Sequence, residues 1–198
     1  MSVSLRQLPN VITSIRIALI VPIATTLIQN RLVMTMLLLI AAALSDGADG
    51  FLAKRFGWRT ELGAILDPAA DKLLLVTVFI TLTALGDVPL WLMAAVVGRD
   101  VIIIAGAIAY RTWIGAVTIR PSAVSKLNTL CQLGFILAVI GARQFGFPPA
   151  WAITGLGALV LVTVVISGLD YVLTFGRLAY DARRRPRAPV GAGERRRA

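Results

Sequence analysis

Six apolar segments, each about as long as a bilayer crossing requires, follow one another at 11–29, 32–53, 63–85, 89–110, 122–142 and 149–175. A helix rises ~1.5 Å per residue through a hydrocarbon core of ~30 Å, so about 20 apolar residues suffice. The breaks between them carry turn or boundary residues: Asn30-Arg31, Phe56-Gly57-Trp58, Gly86-Asp87-Val88-Pro89, Arg120-Pro121-Ser122 and Phe145-Gly146-Phe147-Pro148-Pro149. The pattern predicts an all-α integral membrane protein, a bundle of six transmembrane helices in one domain over 1–176. Composition agrees, with 58% hydrophobic and 15% charged residues and a mean hydropathy of +0.83, outside the range of soluble domains. The first apolar run is long enough to span, so it is expected to be retained as a helix rather than removed as a signal peptide. The single cysteine, Cys131, lies in an apolar stretch and is expected in the core.

Basic residues set the expected orientation, because cytoplasmic loops retain Lys and Arg. With both termini inside, the inner segments hold Arg6, Lys54, Arg55, Arg59, Arg111, Arg120 and the Arg-rich tail, while the outer loops hold only Arg31 and Arg143. This predicts an N-in, C-in protein of the inner (cytoplasmic) membrane. The tail, 177–198, is expected to be disordered and cytoplasmic; its Arg clusters at 183–185 and 195–197 serve as a topology anchor or attract anionic lipid. The net charge of +10 is accounted for by membrane topology, and no nucleic-acid partner is implied.

Against this background four aspartates stand in one window, Asp46-x-x-Asp49-Gly50-x-x-Ala53-Lys54 and then Gly63-x-x-x-Asp67-x-x-x-Asp71. Carboxylates beside membrane-length segments are costly to desolvate and mark a functional site, usually with a cation as partner. Residues three or four apart share a helix face. Asp46, Asp49, Gly50 and Ala53 therefore form one stripe, and Gly63, Asp67 and Asp71 another, on helix ends joined by a short loop at the cytoplasmic side. Gly50, Ala53 and Gly63 leave room for a bulky ligand.

The chain has no histidine, and an all-carboxylate site favours hard cations such as Mg²⁺ or Mn²⁺. Two such ions clamp phosphate chains and stabilise displacement at phosphorus, so the window predicts transfer involving a diphosphate. Lys54, Arg55 and Arg59 add positive charge nearby. A cation transporter and a metal-dependent prenyltransferase also use acids in a bundle; the first needs a polar path across the membrane, which the outer halves of these segments do not offer, and the second is separable by competition with CMP.

The window resembles the signature of the CDP-alcohol phosphotransferase family, D-x2-D-G-x2-A-R-x8-G-x3-D-x3-D, at every position but one, where Lys54 replaces Arg. The replacement keeps the charge and loses the planar fork; Arg55 adjoins it. The stretch from Leu8 to Arg16 looks like the start of that family's first helix, and the resemblance extends to the sixth segment. It implies a six-helix homodimer whose cytoplasm-facing cavity holds two divalent metals. It further implies that Asp46, Asp49, Asp67 and Asp71 are metal ligands and that Asp71 also accepts the proton of the attacking alcohol. Gly50, Ala53, Lys54 and Gly63 would adjoin the nucleotide.

Gly98-Arg99-Asp100-Val101 and the run from Arg120 to Thr129, Arg-Pro-Ser-Ala-Val-Ser-Lys-Leu-Asn-Thr, are similar to the CMP-forming cardiolipin synthase branch. That likeness implies CDP-diacylglycerol and phosphatidylglycerol as substrates, with cardiolipin and CMP as products. Phosphatidylglycerophosphate synthesis from glycerol 3-phosphate is the alternative, since Leu66-Asp67-Pro68-Ala69-Ala70-Asp71-Lys72 is shared by both branches. Arg99, Arg120 and Lys126 are the expected acceptor-phosphate contacts, Arg16 a further one, with Arg99 and Lys126 at the ends of the fourth and fifth segments.

Overall fold

The computed structural model describes the backbone of residues 8–56, 61–113 and 123–184, and side chains chiefly within 14–45, 70–109 and 124–174. Six helices account for it: α1 (Leu8–Ile28), α2 (Leu32–Phe56), α3 (Glu61–Ala84), α4 (Leu90–Trp113), α5 (Ala123–Phe145) and α6 (Ala150–Arg184). Among the described residues there is no strand, and each apolar segment forms one helix, as expected. Among the described residues, three stretches are long and apolar enough to cross a membrane, Leu90–Ala109, Val124–Phe145 and Ala150–Thr174, and Ser14–Ile28 and Leu32–Ser45 are shorter apolar stretches. Large apolar side chains such as Val21, Leu44, Leu90, Leu130 and Leu173 point outward. In water such a surface would be a liability; around a membrane-embedded bundle it is the lipid-facing coat.

Three helices stop where the sequence supplies a residue that tolerates positive φ. Asn30 (φ 60°) and Gly86 (φ 83°) end α1 and α3. In both, paired bonds close the last turn: Arg31 N–H to Thr26 C=O and Asn30 N–H to Leu27 C=O, then Asp87 N–H to Leu82 C=O and Gly86 N–H to Thr83 C=O. Gly146 (φ 70°) ends α5 with a single bond from its N–H to Ala142 C=O. These are the Schellman and αL endings, which satisfy carbonyls that a helix otherwise leaves open. Residues 177–184, where the sequence places the start of the tail, continue α6, since no Gly or Pro interrupts them; 185–198 lie outside the described residues.

In the bundle, α1 packs on α2 and α3, α3 on α4 and α5, and α5 on α2 and α6, while α4 also packs on α6. The core runs through Ile23, Leu27, Leu39, Phe79, Leu82, Leu92, Val96, Phe135, Ile136 and Val160. Phe79 and Phe135 stack with centroids 6.0 Å apart. Cys131 is half-buried and packs against this core. A Cβ at Gly157 would meet the Phe135 ring at 3.3 Å, so glycine lets α6 approach α5 closely, as small residues do in membrane bundles. Several hydroxyls pair within their own helix, Thr77 donating to the Leu73 carbonyl and Thr154 to the Ala150 carbonyl, which is how such groups avoid exposure to hydrocarbon.

The ion pair between Arg143 and Asp87 joins the α3–α4 turn to the end of α5, and a shallow cavity of about 360 Å³ is lined by Asn30, Arg31 and Gln144. The α1–α2, α3–α4 and α5–α6 turns therefore gather at one end of the bundle.

Candidate active site

Asp46, Asp49, Gly50, Ala53 and Lys54 fall in the last part of α2, and Gly63 and Asp67 in the first part of α3. The helical spacing expected of the two stripes is thus present in the backbone; their side chains, and all of Arg120, lie outside the described residues. Asp71 is described, and the site can be built around it.

The Asp71 carboxylate is one-third exposed and accepts a bond at 2.8 Å from Nη1 of Arg16 on α1, whose own side chain is 2% exposed. An arginine in the apolar α1 is tolerated there because a carboxylate faces it. The next residue, Lys72, turns to α4 and places Nζ 2.5 Å from Oδ1 of Asp100. That same oxygen accepts from Nη1 of Arg99 at 2.5 Å, so one buried carboxylate is shared by two cations.

The sequence put Arg99 at the end of its segment. It stands instead near the middle of α4, buried. Segment hydropathy cannot report depth, and this depth is tolerated because the guanidinium is surrounded by partners. Nη2 donates to Ser125 Oγ of α5 at 2.8 Å and to Ser167 Oγ of α6. The Tyr171 ring lies 5.7 Å from the guanidinium carbon, within cation–π range. Arg99 therefore ties α4 to α5 and α6; its Nε, buried, has no hydrogen-bond partner among the described residues.

Two cavities meet at Asp71. The first, about 180 Å³, has charged and polar residues in its wall, Asp71, Lys72, Arg99, Asp100, Lys126 and Gln132 among others. The second, about 250 Å³, is largely apolar: Arg16, Ala42, Leu74, Leu75, Leu130 and Leu133 contribute to it. Of the three expected acceptor residues, Arg99 and Lys126 come together with Asp71. Side chains to which the sequence assigned no role also line the first cavity: Asp100 and Lys72, quoted there only within motifs, Tyr171 from α6, and Gln132; Ser167 joins them through its bond to Arg99. A signal for Gln132 was present, since Ser125, Asn128, Thr129 and Gln132 repeat at the i, i+3, i+4, i+7 spacing of one helix face in an apolar segment.

An acid on a polar cavity walled by cations, with an apolar cavity on its other side, suits a substrate that has a phosphate and a hydrocarbon chain. The sequence comparison decides the family: the model of the CDP-alcohol phosphatidyltransferase family matches residues 6–176. The chain belongs to this family. A probable CMP-forming cardiolipin synthase of Drosophila melanogaster is 30% identical over 86% of the chain. The human CMP-forming cardiolipin synthase is 27% identical over 83%. A probable phosphatidylglycerophosphate synthase of Mycobacterium tuberculosis is 36% identical over a shorter 66%. The chain spans 58% of the Drosophila protein, 60% of the human one and 60% of the mycobacterial one. Family membership thus agrees with the resemblance carried by the aspartate window, while the relatives include both cardiolipin synthases and a phosphatidylglycerophosphate synthase.

Proposed function

We propose that this protein transfers the phosphatidyl group of CDP-diacylglycerol to the headgroup glycerol of phosphatidylglycerol, forming cardiolipin and releasing CMP. The observation that carries this reading is the convergence of Asp71, Lys72, Arg99 and Lys126 on one cavity, backed by an apolar cavity that shares Asp71. The family signature around Asp71 and the likeness of the Gly98–Val101 and Arg120–Thr129 motifs to the cardiolipin synthase branch support it.

In the proposed reaction a primary hydroxyl oxygen of the acceptor attacks the phosphorus that bears diacylglycerol. The bond from that phosphorus to the CMP oxygen breaks, and CMP leaves with the electron pair. Asp71 takes the hydroxyl proton, as a base held in place by Arg16. Lys126, exposed at the cavity edge, attracts the acceptor phosphate, and Arg99 fixes the wall behind it. The donor set fits a hard divalent pair, Mg²⁺ or Mn²⁺, since every candidate ligand is a carboxylate; Asp46, Asp49, Asp67 and Asp71 would hold it. When bound, the metals neutralise the charge that builds on the transferring and leaving phosphates. Gly50, Ala53, Lys54 and Gly63 would flank the nucleotide.

We read all six helices as spanning segments, with both termini and the site on the cytoplasmic side of the inner membrane and the protein as a homodimer. The charge asymmetry of the loops supports the orientation, and the common position of three turns at the end bearing Arg31 and Arg143 fits it. Phosphatidylglycerophosphate synthesis is the second reading, favoured by the likeness to the mycobacterial relative. Purified protein given CDP-diacylglycerol, Mg²⁺ or Mn²⁺, and either phosphatidylglycerol or glycerol 3-phosphate tests both, with the lipid product identified by mass. Cardiolipin supports the first reading, and phosphatidylglycerophosphate alone replaces it by the second.

A further inference from the structure

Among the described residues, Gln132 is the one neutral amide in the wall of the cavity that holds Lys72, Arg99 and Lys126. It stands on α5 one turn beyond Thr129, its side chain is 97% buried at 3% exposure, and its Nε2 has no hydrogen-bond partner among the described residues. A buried amide N–H left unpaired is costly, so a bound ligand that pairs with it would remove a cost at this position. The groups around it are of another kind. Lys72, Arg99 and Lys126 are cations suited to phosphate, and Asp71 and Asp100 are anions, the latter already shared between Lys72 and Arg99. A carboxamide carries both a donor and an acceptor, which matches a hydroxyl, itself donor and acceptor, better than it matches a phosphate oxygen.

We propose that Gln132 is a specificity residue that binds the non-reacting secondary hydroxyl of the acceptor's glycerol unit. The inference rests on the reading that the acceptor occupies this cavity. Glycerol presents a reacting primary hydroxyl and, on the adjacent carbon, a secondary one. With the primary hydroxyl at Asp71 and the phosphate toward Lys126, the secondary hydroxyl is the group left for the amide. Both candidate acceptors, phosphatidylglycerol and glycerol 3-phosphate, carry that hydroxyl, so Gln132 selects glycerol among alcohols without choosing between them. Alcohols with nothing to offer at this point leave the amide unpaired, and sites built to bind a hydroxyl reject such analogues strongly.

The test compares each acceptor with its deoxy counterpart. Phosphatidylglycerol is paired with phosphatidyl-1,3-propanediol, and glycerol 3-phosphate with 3-hydroxypropyl phosphate, using the full chain, CDP-diacylglycerol and a divalent cation. The wild type is expected to prefer the hydroxylated member by about 10-fold or more in kcat/KM. Gln132→Met is expected to slow the hydroxylated member more than the deoxy one and so to bring the ratio within about threefold of one, a change that a general packing defect would not produce because it would slow both members alike. If Gln132→Met does not fold, Gln132→Asn, which withdraws the amide by one methylene, carries the same test, and the ratio must fall. A wild type indifferent to the secondary hydroxyl, or a variant with an unchanged ratio, overturns the inference while leaving the reaction in place. A wild type that turns over neither phosphatidylglycerol nor glycerol 3-phosphate overturns the proposed function and the inference with it.

Discussion

Arg16 of α1 and Asp71 of α3, 55 residues apart in sequence, form a hydrogen-bonded ion pair at 2.8 Å with the guanidinium buried. Because Asp71 is one-third exposed, solvent screens the pair on one side. Arg16→Met is therefore expected to cost about 1–3 kcal/mol and to lower the transfer rate, with Arg16→Lys intermediate in both. Thermal melts in detergent and initial rates check this; an Arg16→Met protein matching wild type in both would show that the pair neither holds the helices nor positions the carboxylate.

Asp71→Asn keeps the shape of the side chain and removes the base. Its rate should drop by ~10²–10⁴-fold, with a smaller change in affinity for CDP-diacylglycerol. Nucleotide-lipid binding measured beside kcat separates the roles, and parallel losses in both would make Asp71 a ligand alone.

Removal of divalent cations should abolish turnover, and readdition of Mg²⁺ or Mn²⁺ should restore it. Asp46→Asn, Asp49→Asn and Asp67→Asn should each lose most activity while melting near the wild-type temperature. Turnover that persists in chelator would end the two-metal proposal.

At position 54, Lys54→Arg should be tolerated and should tighten nucleotide binding through the bidentate fork. Lys54→Ala should raise the Michaelis constant for CDP-diacylglycerol. If the alanine variant behaves as wild type, the role passes to Arg55.

Arg99 and Lys126 line the same cavity but should respond differently. Lys126 is exposed, so Lys126→Ala should weaken acceptor use by roughly 1.5–3 kcal/mol if a charged hydrogen bond is lost, without loss of stability. Arg99 is clasped by Asp100, Ser125 and Ser167. Removing one partner of a buried pair costs about 3–5 kcal/mol; Lys72 still neutralises Asp100 and reduces this, so Arg99→Ala should lower the melting temperature visibly. Equal melting temperatures in the two variants would contradict the structural role of Arg99.

Helices α1, α3 and α5 were legible to their ends because each apolar run stops at a residue with a physical reason to stop it, Asn30, Gly86 and Gly146. Asp71, Arg99 and Lys126 were legible as candidates because charge is scarce in such segments. What the sequence could not supply were pairings across the bundle. Nothing in the order of residues says that Arg16 meets Asp71, that Lys72 reaches Asp100, or that Ser167 and Tyr171 of α6 close on Arg99. Those contacts depend on which helices become neighbours. The depth of Arg99 was misjudged for the same reason, since its burial is tolerated only through partners on two other helices. Gln132 was missed although its spacing from Ser125 and Thr129 announced it, because an uncharged amide does not stand out in composition.

Asp71, Leu75 and Thr129 border both cavities, so the boundary between the polar and the oily compartment is a single layer of side chains. A detergent tail lodged in the oily compartment would press on the reactive carboxylate from behind, and the rates measured for this protein should depend on the tail length of the detergent even when its headgroup is held constant.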